Sequence, residues 1–177
     1  MRKVYFIITI LFIASIQIPA STLPGTALQF SGAQNILLYH NQSLNFEKFT
    51  LEMWVYWGGS GTNIHFLTAK GLEKIEIHTG GSTAGNIRFI PTTGIYLDAG
   101  LNALPSATWT HLAVVYDPTQ GLAKMYINGI EKPLTNNGFN SDLHSPLANN
   151  NQDFVFGARN GGVFPFVGAL DEIRLWN

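Results

Sequence analysis

Between positions 110 and 131 the chain reads THLAVVYDPTQGLAKMYINGIE, two alternating apolar runs folded around DPTQG. His111, Ala113 and Val115 share one face of the first run, and Leu112, Val114 and Tyr116 share the other. Both faces are therefore expected to be largely covered, as in an inner strand of stacked sheets. Asp117-Pro118 opens a turn, because the proline ring fixes φ and the aspartate can accept from the amides that follow. Met125 and Ile127 then alternate with Lys124 and Tyr126, and Asn128-Gly129 is a tight hairpin signal. Similar short alternations, broken by Gly, Asn, Pro and Ser, predict strands at 27–30, 36–39, 50–57, 64–69, 74–78, 86–90, 95–98, 109–117, 122–128, 153–157 and 170–176. No stretch repeats apolar residues at i, i+3, i+4 and i+7 over three turns, so helix is limited to a turn or two. Many short strands with turns between them predict an all-β sandwich or barrel. No internal repeat or linker divides the chain after its start.

The start has a different pattern. Arg2 and Lys3 precede an apolar run over residues 4–18, and small residues follow at Ala20 and Ser21. That order predicts a signal peptide over 1–20 with cleavage after Ala20, leaving one domain over 21–177. The run is shorter than the roughly 20 residues that comfortably span a bilayer, and no later segment is long and apolar enough. The expectation is a secreted bacterial protein, extracellular or periplasmic, with no membrane insertion after cleavage. Loss of Arg2 and Lys3 leaves 8 basic against 11 acidic residues. A net charge of −3 offers no attraction to nucleic acid or an anionic membrane. Cysteine is absent, so an exported fold must rely on core packing or a metal, unlike small disulfide-stapled modules.

Four stretches carry a family resemblance. WTHLAVVYDPTQGLAKMYINGI (109–130) is similar to the central hairpin of laminin-G-like, concanavalin A-like jelly-roll domains, and FVGALDEIRLWN (166–177) to their closing strand. ALQFSGAQNILL (27–38) resembles the opening strand and FTLEMWVYW (49–57) the third. The resemblance implies a concanavalin A-like jelly roll: two antiparallel sheets stacked face to face, with first and last strands as neighbours. It also implies a lectin-like or glucanase-like role. Two departures stand out. Ser31 takes a place that is often acidic in the family. The pentraxin-like calcium-ligand position reads Ala158-Arg159-Asn160-Gly161-Gly162, with a cation and no carboxylate.

Catalysis finds little support in the motifs. A retaining glucanase needs two carboxyl groups about 5–5.5 Å apart across the scissile bond, which on a strand means acids at alternate positions. The nearest arrangement, Glu73-Lys74-Ile75-Glu76, has a spacing that would place its acids on opposite strand faces, and Asp171-Glu172 also diverge. No Gly-x-Ser-x-Gly nucleophile elbow appears. Asp171 shares strand parity with Ile173 and Leu175, so its carboxylate is expected to point coreward. There it would cap loop amides or act as one ligand of a structural calcium ion (Ca2+) completed by backbone carbonyls. His111 is expected to be a satisfied core histidine, and the other histidines are scattered. Glu52, alternating with Trp54 and Tyr56, is expected to make a structural hydrogen bond.

Binding has more candidates. Trp57, followed by Gly58-Gly59-Ser60-Gly61, would form a platform for a sugar or peptide, or else finish its strand and pack inside. Tyr96 beside Asp98, and Arg88 on the polar side of its strand, would offer hydrogen bonds on one sheet face. Arg159 and Asn160 lie in a Gly-rich loop that resembles the family's variable rim, next to Phe164-Pro165-Phe166, of which Phe166 matches a family core position. Asn41-Gln42-Ser43 fits a glycosylation sequon. The expected function is a non-catalytic binding or adhesion module whose partner is an extracellular or cell-surface glycan, with a protein ligand second. The alternatives are a glucanase-type glycoside hydrolase and a structural spacer. The end of the sequence at Asn177, where the closing strand ends, leads to the expectation of a piece of a larger exported protein.

Overall fold

A computed structural model describes residues 26–59, 63–81, 84–147 and 150–177; the expected signal peptide lies outside the described residues. Among the described residues thirteen strands form two layers. One sheet contains β1 (Leu28–Ser31), β13 (Val167–Trp176), β3 (Phe49–Trp57), β8 (Trp109–Asp117), β9 (Leu122–Ile127) and β10 (Ile130–Lys132), in that spatial order. The other contains β11 (Thr135–Asn136), β7 (Leu97–Asp98), β6 (Ile87–Ile90), β5 (Glu76–Thr79), β4 (His65–Ala69), β12 (Phe154–Phe156) and β2 (Ile36–Leu38). Every pairing is antiparallel. Among the described residues the only helical turn is the 3-10 segment Gln42–Leu44, capped by the Asn41 side chain.

The core lies between the layers. In β3 the alternation sends Phe49, Leu51, Met53, Val55 and Trp57 inward and leaves Thr50, Glu52, Trp54 and Tyr56 outside. The facing sheet contributes Ile77, Phe89, Leu97, Phe154 and Phe156. Rings cross the midplane, with Phe49 edge-on to Phe89 at 5.9 Å and Phe89 edge-on to Tyr116 at 6.1 Å. Each such ring contributes roughly 1.5–3 kcal/mol by leaving water. The first and last strands are neighbours as expected, Leu28 opposite Leu170 and Ser31 opposite Val167. Phe30 and Phe166 meet edge-on across this seam at 5.9 Å. Gly157 sits at φ 82° against the Phe30 ring, where a Cβ would collide with it.

Two expectations about facing need correction. β8 is not covered on both sides: Leu112, Val114 and Tyr116 are buried, whereas His111, Ala113 and Val115 are half-buried on the outer face. In a two-layer sandwich each strand has one core side. Asp171 does not point coreward. The β13 register shifts between Asp171 and Arg174, and Glu172 adopts φ 47°. This bulge flips the parity, so Asp171 pairs with outward Trp54 while Leu175 pairs with inward Leu51. The short strands β10 and β11, absent from the sequence expectation, close one edge of each sheet.

Candidate functional site

The outer face of the seven-stranded sheet carries an unusual set of side chains. Phe66 lies opposite His78, His78 opposite Arg88, and Arg88 opposite Asp98, so four adjacent strands present one row. Glu76, two residues before His78, shares the face. Inward residues of the same strands, Ile77, Phe89 and Leu97, belong to the core.

Two fixed ion pairs organise the row. Arg88 donates from Nε and Nη2 to the two Asp98 oxygens at 2.8 and 2.7 Å. Asp98 also accepts from Asn86 at 2.8 Å and Asn137 at 2.6 Å, which fills both oxygens. Arg159 donates from Nε and Nη2 to Glu76 at 2.6 and 3.2 Å. The Glu76 side chain has no exposed surface, and that of Arg159 retains 19%. Each carboxylate thus engages two of the five N–H donors of its guanidinium, through Nε and Nη2, and holds the group in place. The Arg159 loop is held by Arg159 N–H to Val163 O and Gly162 N–H to Arg159 O, each at 3.0 Å.

Rings pack around the two arginines. The Arg159 guanidinium lies over Phe66 at 5.2 Å, Phe66 contacts His78 at 4.8 Å, and the Arg88 guanidinium lies over Tyr96 at 5.5 Å. Phe164 flanks Phe66 at 5.8 Å and is well exposed.

The electrostatics follow from burial. Burial, aided by the neighbouring Arg88, lowers His78 to about 4, so the ring is neutral near pH 7. Burial raises Glu76, and the hydrogen bond and charge of Arg159 only partly oppose it. Burial would also raise Asp98, but hydrogen bonds from Arg88, Asn137 and Asn86 outweigh it and hold its carboxyl low. Tyr96 is raised by burial and by its interaction with Glu73.

Among the residues singled out from the sequence, Arg88, Tyr96 and Arg159 come together here. Trp57 does not: it is 2% exposed, ends β3 on the inward face and packs in the core, so it is no platform. Asn160 acts as a clamp, its Oδ1 accepting from Gly71 N–H at 2.8 Å. Glu76 and His78 were missed as site residues. Their i, i+2 spacing placed them on one face, but nothing in the linear pattern paired that face with Arg88 and Arg159.

Asp171, the expected calcium ligand, lies away from this face. The carboxylate projects from the outer face of the six-stranded sheet and accepts from its neighbour Glu172 N–H at 2.8 Å. Among the described residues no three His, Cys, Asp or Glu side chains gather to hold a metal. On that same outer face Glu52 accepts from the Trp176 indole at 3.2 Å and lies 3.6 Å from both Arg174 and His111. His111 is therefore half-exposed and stacked edge-on against Trp54 at 5.3 Å, not a core histidine.

Several solved structures share the fold. Domain 4 of AbnA, a GH43 extracellular arabinanase from Geobacillus stearothermophilus, solved in complex with arabinotriose, aligns with a TM-score of 0.59 at 24% identity, covering 85% of this chain and 70% of that one. The CBM40 of a Ruminococcus gnavus IT-sialidase, solved bound to α2,3-sialyllactose, aligns at 0.61 and 15% identity over 89% of this chain and 92% of that one. A Bacteroides ovatus protein to which carbohydrate binding has been ascribed aligns at 0.61 and 20% identity, covering 85% of this chain but only 42% of its own. No curated protein matches the chain significantly. The family model of laminin-G-like domains described as the concanavalin A-like lectin/glucanases superfamily matches residues 30–177, and the chain belongs to that family.

Proposed function

We propose that the protein is a secreted, non-catalytic carbohydrate-binding module whose ligand lies on the outer face of the seven-stranded sheet. The observation that carries this reading is the pair of anchored guanidiniums, Arg88 over Tyr96 and Arg159 over the buried Phe66, each fixed by a carboxylate through two nitrogens, with Phe164 exposed beside them. Sugars need this combination: rings for their C–H faces and prealigned donors for their hydroxyls. The carbohydrate-binding domains that share the fold support the same class of ligand.

The carboxylates are poorly placed for hydrolysis. Glu76 and Asp98 stand two strands and one pleat repeat apart, roughly 12 Å between Cα atoms by strand geometry. Both are tied up by guanidinium groups, so neither is available as an acid or a nucleophile.

Isothermal calorimetry against a panel of oligosaccharides tests the reading. Tyr96→Ala, which leaves both ion pairs intact, is expected to weaken binding at least about tenfold, the range of a lost ring contact in a small site. Trp54→Ala on the opposite sheet should leave it unchanged. Equal affinity in Tyr96→Ala, or turnover of a β-glucan by the wild-type protein, would contradict the proposal.

A further inference from the structure

Resting on the glycan reading above, we infer that the ligand is an uncharged glycan, and that Arg88 and Arg159 serve it as fixed hydrogen-bond donors, not as receptors for an anion. Two cations and three carboxylates meet at this face: Arg88 and Arg159 against Glu73, Glu76 and Asp98. Both guanidinium groups are already engaged through two nitrogens each. The carboxylate of an acidic sugar would arrive at a surface with a local excess of negative charge. The remaining donors of each guanidinium could still reach it, but each arginine's charge is already balanced by a carboxylate within hydrogen-bond distance, so an anion gains little attraction there.

An uncharged sugar meets no such repulsion. Hydroxyl oxygens can accept from the guanidinium N–H groups that the carboxylates do not engage while both ion pairs stay closed, and the half-buried Tyr96 and exposed Phe164 rings offer apolar surface to the sugar's C–H face. His78, neutral near pH 7, adds no third cation to the row. The chain as a whole carries a net charge of −1, so no long-range field draws anions in.

The test is a binding panel on the wild-type protein: uncharged oligosaccharides, including arabinotriose and lactose, against acidic ones, including α2,3-sialyllactose and oligogalacturonate. Each is titrated between about 50 and 500 mM NaCl, across which exposed charge interactions are progressively screened. The expected result is binding confined to uncharged members, with affinity changing less than about twofold over that salt range. Glu76→Gln should release Arg159 from its counter-charge and shift preference toward acidic probes by at least about tenfold, with marked salt dependence. If that variant fails to fold, the wild-type salt series alone decides. Binding of acidic glycans that weakens steeply with salt would overturn the inference and leave the glycan site standing. Failure of every probe in both classes would overturn the glycan reading and the inference with it.

Discussion

His78 sits at the centre of the row without a cation's role, because burial among Phe66 and two arginines disfavours its protonated form. That has a consequence for pH. Its folded pKa of about 4 lies below the ordinary 6.5, so the unfolded chain takes up the proton more readily. The His78 contribution is complete above pH 6.5 and is lost as the pH falls through 4, by up to about 3 kcal/mol. Thermal denaturation from pH 7 to pH 4 should show wild type losing more stability than His78→Gln. Parallel curves for the two proteins would contradict this. At this scale the sequence was informative where polarity alternated on a strand, as at Arg88 and Tyr96. It left Trp57 open between a platform and the core, because the glycine-rich flank suggested exposure while parity with Val55 and Met53 put the indole inside, where it lies.

Element by element, most strands were legible, because β3, β8 and β9 each show a period of two and end in turn residues. The 109–117 strand coincides with β8. What alternation cannot show is a bulge. One extra residue at Glu172 moved Asp171 from the expected inward side to the outer face, and with it the premise for a calcium ligand. The two- and three-residue strands β11 and β10 are too short to show a period. The bulge predicts a mild phenotype: Asp171→Asn should cost under about 1 kcal/mol in urea denaturation, since only one local hydrogen bond is altered. The cost should be the same with and without a chelator. A loss of several kcal/mol seen only when calcium is withdrawn would restore the metal reading.

For the molecule as a whole, closure between β1 and β13 was legible as family resemblance, whereas strand order within the seven-stranded sheet was not. That order depends on pairings between distant segments, such as β12 lying between β4 and β2. It is also what assembles the site, since it brings β4 to β7 and the Arg159 loop to one face. Phe166, fully buried against Phe30 at the seam, is the place to test closure. Phe166→Ala should cost about 3–5 kcal/mol by chemical denaturation, and a loss below about 1 kcal/mol would show that the seam carries little stability.

Side-chain NMR of the protein titrated with a bound oligosaccharide locates the ligand most directly. The account predicts that the Arg88 and Arg159 Nε–H signals shift on binding, while the indole signals of Trp54, Trp109 and Trp176 on the opposite sheet stay in place. Shifts confined to those indoles, with both arginines unmoved, would place the ligand on the other face and contradict it.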